Sequence, residues 1–119
     1  MLERLKHRQA LRRSIALPVQ CRVLHGLREG AWLSDISTHG CGIALRSMRP
    51  VVGARMMIKP ATIEALSGVV RWVREDRCGV EFDTPLYPPV VDHLCRAFAE
   101  KVREESVDLV RTRGLGDRL

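Results

Sequence analysis

The sequence predicts an all-β domain, a small six-stranded antiparallel barrel, with one added helix on its C-terminal side. Between residues 15 and 84, short apolar segments alternate with turns rich in glycine, proline and polar residues, a pattern typical of strands that close on themselves. After Pro88 and Pro89 the apolar residues recur every three or four positions, the period of an amphipathic helix. A chain of 119 residues is long enough to bury one core without disulfides or metals.

The strands are predicted from the alternation of side chains. In the first strand Val19, Cys21 and Val23 share one face, while Gln20 and Arg22 lie on the other. The six predicted strand segments, in chain order, are IALPVQCRVL, GAWLSDIS, CGIALR, GARMMIK, EALSGVVRWV and CGVEFD. Together they place the barrel at 15–84.

The predicted helix spans 88–110 and begins at a proline pair, which suits a helix entrance. Its apolar stripe consists of Val90, Val91, Leu94, Cys95, Phe98 and Val102. We expect this stripe to cover the barrel; the other interpretation, a seam between two copies in a homodimer, stays open. Residues 111–119 contain glycines, charges and little apolar surface, so we expect a flexible tail.

The charge distribution indicates an anionic partner. The formal net charge is +6, and basic residues crowd the N-terminal arm 1–14, where Glu3 is the one acidic residue. Nucleic acid, a lipid surface and a phosphorylated small molecule all satisfy that charge. No apolar run is long enough to cross a bilayer, and no secretion signal begins the sequence. We therefore expect a cytoplasmic protein with no membrane insertion.

The cysteine pattern argues against metal and redox sites. The four cysteines lie far apart and form no CxxC pair, so free, buried thiols are expected. His39 and Cys41 alone are too few ligands for a metal site, and we expect neither metal nor cofactor. Enzyme activity is not expected either, because the sequence has no Walker-type loop and no nucleophile with a paired base.

Two short motifs carry the candidate chemistry. In RQALRR, Arg8 and Arg12 stand four residues apart just before the first strand; in DISTHG, Asp35, Ser37 and Gly40 follow the second strand. Each motif alone is ordinary, a solvated basic segment and a turn signal. In an antiparallel barrel, however, the segment entering strand one can lie beside the corner after strand two, so the motifs could form one site.

The combination RxxxR, DxSxxG, GVVRWV and CGVEFD resembles the PilZ domain, a bacterial receptor module for cyclic di-GMP. The resemblance covers residues 8–82 and implies a six-stranded barrel with an additional helix, as the periodicity does. It implies a ligand site formed by Arg8, Arg12, Asp35, Ser37 and Gly40. His39 stands where many members carry a second glycine, which we expect to stiffen the corner and to alter affinity.

The chemistry of the ligand explains these residue types. Arginine donates bidentately to a phosphate or to O6 and N7 of guanine, and its plane can stack on a base. Asp35 is the complementary acceptor for the N1–H and N2–H donors of guanine, and Ser37 adds a hydroxyl. Gly40 allows close approach of the backbone. Arg13 is a further candidate, and Trp72 is either a stacking partner or a core residue.

The resemblance implies a receptor or adaptor that changes conformation when cyclic di-GMP orders the arm, and that signals to a downstream protein. Two alternatives remain: a family adaptor that does not bind the nucleotide, and a small basic barrel that binds single-stranded nucleic acid. We do not expect nucleic acid, because stacking platforms need exposed aromatic residues. The chain has only two tryptophans, two phenylalanines and one tyrosine.

Overall fold

A computed structural model describes residues 12–98, which form a barrel of six strands followed by a helix. The strands are β1 (Arg13–Val23), β2 (Arg28–Ile36), β3 (Gly40–Ala44), β4 (Arg55–Pro60), β5 (Leu66–Arg74) and β6 (Arg77–Phe82). Helix α1 begins at residue 88 and continues to the end of the described range. The predicted barrel and helix are confirmed. Arg8, the rest of the arm to residue 11, the predicted helix beyond 98 and the tail 111–119 lie outside the described residues.

The six strands close in the order β1-β2-β3-β6-β5-β4, and β4 pairs again with β1. Every neighbouring pair is antiparallel, including the closing pair, in which Cys21 lies opposite Ile58. Closure satisfies the backbone groups that an open sheet would leave along its edges.

The barrel interior is filled by the inward face of each strand. Its fully buried large side chains include Leu17, Leu33, Ile36, Ile43 and Ile58. Helix α1 completes this core, because its Val91, Leu94 and Cys95 are buried in the same cluster. The described part of the predicted stripe therefore packs on the barrel, and Val102 lies outside the described residues. Within the described part of the chain, no helix is long and apolar enough to cross a membrane.

Three β-bulges interrupt the strand alternation at one level of the barrel. They lie between Ser14 and Leu17 in β1, between Leu33 and Asp35 in β2, and between Val70 and Trp72 in β5. A bulge inserts one extra residue and so changes which face the next side chain takes. Leu33 and Val70 are buried. Without the bulges, Asp35 and Trp72, which follow them by two positions, would also point inward.

Glu29 organises the loop that follows β3. Its Oε2 accepts the backbone N–H groups of Arg46, Ser47 and Met48 at 3.1, 2.9 and 3.1 Å, and its Oε1 accepts the Ser47 hydroxyl at 2.7 Å. The backbone donors of Ser47 and Met48 contribute most to lowering the pKa of Glu29, from 4.5 to about 2.

The four cysteines are all free and buried. Burial raises the pKa of Cys21 to about 12 and that of Cys78 to about 11. Burial also raises the pKa values of Cys41 and Cys95. The thiols are thus protonated at neutral pH. Among residues 12–98, no group of three or more His, Cys, Asp or Glu side chains is arranged to hold a metal ion.

Candidate functional site

Asp35 lies in a row of paired residues that crosses the outer face of the barrel. It pairs with Gly42 in β3, Gly42 pairs with Gly79 in β6, and Gly79 pairs with Trp72 in β5. On its other side Asp35 lies opposite Ser14 in β1. Paired residues of antiparallel strands project to the same face of a sheet. The row therefore has an acid near one end, an indole at the other, and two glycines between them, which we call the glycine floor.

The glycine floor is occupied by the side chains beside it. A Cβ built on Gly42 would lie 2.4 Å from Oδ2 of Asp35, and a Cβ built on Gly79 would lie 2.0 Å from Nε1 of Trp72. The carboxylate and the indole thus lie over the two glycines. Any larger residue at either position would displace the side chain that lies over it.

Two guanidinium groups flank the Asp35 carboxylate. Arg12 donates a hydrogen bond from Nη1 to Oδ1 of Asp35. On the opposite side, Nη2 of Arg77 lies 3.9 Å from Oδ2 of Asp35 and donates to the Ser34 hydroxyl at 2.7 Å. About half of each arginine side chain is exposed, against 25% of Asp35. The structure thus brings the end of the arm to the acid of the DISTHG corner.

Ser37 and Gly40 build that corner. The Ser37 hydroxyl accepts the backbone N–H groups of His39 and Gly40 at 3.1 and 3.2 Å, and the Ser37 N–H donates to the carbonyl of Gly40 at 2.9 Å. Ser37 is only 4% exposed, so its hydroxyl serves the turn. A Cβ on Gly40 would lie 2.4 Å from the Val80 carbonyl oxygen; the close approach expected at Gly40 is therefore to β6.

Arg13 binds the helix. It pairs with Ile36 in the first register position of β1, so this strand begins within the segment 1–14 that the sequence assigns to the arm. Arg13 donates from Nη1 to Oδ1 of Asp92 in α1 at 2.9 Å. This hydrogen bond is the main cause that raises the pKa of Arg13 and lowers that of Asp92. Asp92 is also 3.2 Å from Arg96. The start of β1 is thereby joined to α1.

Trp72 lies on the outer face of the barrel, half-buried over the glycine floor. The guanidinium carbon of Arg74 lies 5.2 Å from the centre of its ring, within cation–π range. Trp72 is not part of the buried core, and its role as a stacking partner stays a prediction. Arg8, the first arginine of the RxxxR motif, lies outside the described residues.

The sequence interpretation missed Arg77 and the two glycines of the floor. The available signal was the repeated Cys-Gly pair in CGIALR and CGVEFD, since glycine inside a strand often marks close approach of another group. The resulting surface combines acceptor oxygens, guanidinium donors and an aromatic wall. It suits a planar anionic ligand that carries N–H donors of its own.

Comparison with known proteins identifies the family of the chain and agrees with its fold. The family model for the PilZ domain matches residues 6–99. Among solved structures, the barrel is similar to the Bacillus subtilis inhibitor of motility (MotI/DgrA), with a TM-score of 0.51 and 16% sequence identity over 75% of this chain and 48% of that chain. This chain thus spans about half of that protein, and the likeness concerns the fold. No curated protein matches the sequence. Because the family model covers most of its length, the chain belongs to the PilZ domain family.

Proposed function

We propose that this protein is a bacterial, cytoplasmic receptor for cyclic di-GMP that changes conformation on binding and signals to a downstream protein, without enzymatic activity. The observation that carries the proposal is the contact between Arg12 and Asp35 beside the glycine floor. This contact joins the RxxxR motif to the DxSxxG motif. Membership of the PilZ domain family implies a receptor for cyclic di-GMP.

The groups of this site complement those of the ligand. Asp35 offers two oxygens to the N1–H and N2–H donors of a guanine. Arg12 offers a planar fork of donors to a phosphate or to O6 and N7 of the base. The half-buried indole of Trp72 offers an aromatic surface at the other end of the glycine floor, where a base would take the place of the Arg74 guanidinium over the ring.

Ligand binding requires an exchange of partners. Arg12 donates to Oδ1 of Asp35, one of the two oxygens that the guanine donors would use. When guanine binds Asp35, Arg12 leaves the carboxylate and binds the anionic ligand instead. Its positive charge then offsets negative charge of the ligand. The main chain at Arg12 continues into the arm, and Arg13 next to it is bonded to α1. A change at Arg12 therefore shifts the surfaces that a downstream protein would contact.

Calorimetric titration with cyclic di-GMP tests the proposal directly. We expect micromolar or tighter binding by the native chain, and at least tenfold weaker binding by Asp35→Ala and Arg8→Ala. Arg22→Ala is the matched control: it removes one positive charge from β1 at a position where, among residues 12–98, the arginine has no ion pair. Absence of any uptake at micromolar ligand would refute the receptor function and leave the adaptor that lacks nucleotide binding.

The conformational part has its own test. Amide hydrogen exchange of residues 1–14 should slow when cyclic di-GMP is added, because the ligand would hold both arginines of the motif. Equal exchange rates in the two states would exclude the arm as the element that signals.

A salt series separates this function from binding of single-stranded nucleic acid. A ligand with two phosphates releases few counterions, so its binding constant should fall only slightly with salt. A steep linear fall of log K with log salt, measured with an oligonucleotide, would favour the nucleic-acid function instead.

A further inference from the structure

We infer that Arg77 is a positioning residue. It holds Asp35 in the orientation that accepts the N–H donors of guanine after Arg12 has moved to the ligand. This inference rests on the proposed function. It concerns a residue of β6, outside both sequence motifs.

The two oxygens of Asp35 have different surroundings. Oδ1 accepts from Arg12, the arginine that the ligand would draw away. Oδ2 lies over Gly42 and faces Arg77 at 3.9 Å. That distance is within reach of charge attraction but too long for a hydrogen bond. Oδ2 therefore keeps its lone pairs available for a guanine N–H while Arg77 attracts it.

Arg77 is itself fixed by β2. Its Nη2 donates to the hydroxyl of Ser34 at 2.7 Å, and Ser34 is the extra residue of the bulge that turns Asp35 outward. The guanidinium group is thus anchored to the chain segment that carries the acid. Arg77 also lies two positions before Gly79, so it shares the outer face of β6 with the glycine floor.

The need for Arg77 arises in the bound state. Once Arg12 has moved, Asp35 is a carboxylate close to a ligand with two negative charges, and it requires a second positive charge. A unit charge about 4 Å away in a well-solvated site accounts for about a five- to tenfold effect on binding. Arg77 supplies that positive charge without donating a hydrogen bond to the carboxylate oxygens of Asp35.

The experiment compares cyclic di-GMP with cyclic di-inosine monophosphate, whose base lacks the N2 amine of guanine. The ratio of the two dissociation constants in the wild-type protein reports how well Asp35 accepts the N2–H donor. Arg77→Ala should weaken cyclic di-GMP binding about five- to tenfold and lower this preference at least threefold, towards the value of Asp35→Ala. Arg77→Lys, which keeps the charge, should recover part of the preference, and the control Arg22→Ala should leave it unchanged.

A double-variant cycle separates positioning from direct contact. If Arg77 acts through Asp35, Arg77→Ala adds no further loss to Asp35→Ala, since residues that act as a unit are not additive. Three results would overturn the inference: additive losses in the double variant, an unchanged ratio of the two dissociation constants in Arg77→Ala, or equal binding of the two cyclic dinucleotides by the wild-type protein. In each case the binding of cyclic di-GMP would still stand. Failure of the wild-type protein to bind cyclic di-GMP would overturn the proposed function and this inference with it.

Discussion

Replacing Gly42 with alanine tests whether the glycine floor sets the position of the acid. The new Cβ would lie 2.4 Å from Oδ2 and 3.0 Å from Cγ of Asp35, whereas ordinary contact begins at 3.4 Å. The carboxylate must therefore retreat by about 1 Å, which lengthens a hydrogen bond to a bound base beyond its useful range. A hydrogen bond to a charged group is worth roughly 1.5 to 3 kcal/mol. We expect cyclic di-GMP to bind about ten- to a hundredfold more weakly.

The assay for Gly42→Ala is calorimetry or fluorescence anisotropy, with the thermal midpoint measured alongside. Asp35 can move outward towards solvent, so the midpoint should change little. Gly30→Ala is the matched control, because it lies in β2 and its Cβ would meet only Nε2 of Gln20 at an ordinary 3.7 Å. Binding by Gly42→Ala within twofold of the control would refute the idea that the floor positions the carboxylate.

Three further predictions concern ligand affinity, acid stability and thiol chemistry. Arg12→Ala should weaken cyclic di-GMP binding by about five- to more than a hundredfold in calorimetry, since a bidentate arginine contact to guanine is worth roughly 1 to 3 kcal/mol; binding within twofold of wild type would contradict this role. The pKa of Glu29 falls from 4.5 to about 2 on folding, so its ionised form stabilises the fold above pH 4.5 and that contribution is lost as pH falls towards 2. Glu29→Gln should flatten this part of a plot of thermal midpoint against pH; an unchanged slope would show that the loop contacts do not stabilise the fold. The four buried cysteines should react with a thiol reagent at pH 8 only after unfolding in urea, and rapid modification of the folded protein would contradict their burial.

The sequence predicted the barrel because its core obeys simple alternation. Val19 and Cys21 in β1, like Val80 and Phe82 in β6, are buried at every second position. The change to a helical period after residue 88 was equally predictable, because α1 buries its apolar residues in the same core. These parts follow from burial of apolar surface alone.

The site was only partly predictable. The link between Arg12 and Asp35 followed from motif order in an antiparallel barrel. The contacts of Ser37 within its turn and of Arg13 with α1 did not, because they depend on local geometry. Arg77 was missed because only the register between strands places it beside an acid 42 positions earlier. Sequence spacing carries no signal of that pairing.

The bulge at Ser34 makes the outward position of Asp35 sensitive to a kind of change that inspection of the motifs would overlook. If β2 straightened with Ser34 retained, strict alternation after Leu33 would turn Asp35 into the apolar interior and Ile36 towards solvent. The letters DISTHG would all survive such a change in strand pairing. Under the proposed function, such a shift of strand phase would abolish nucleotide binding with every residue of the two motifs still in place.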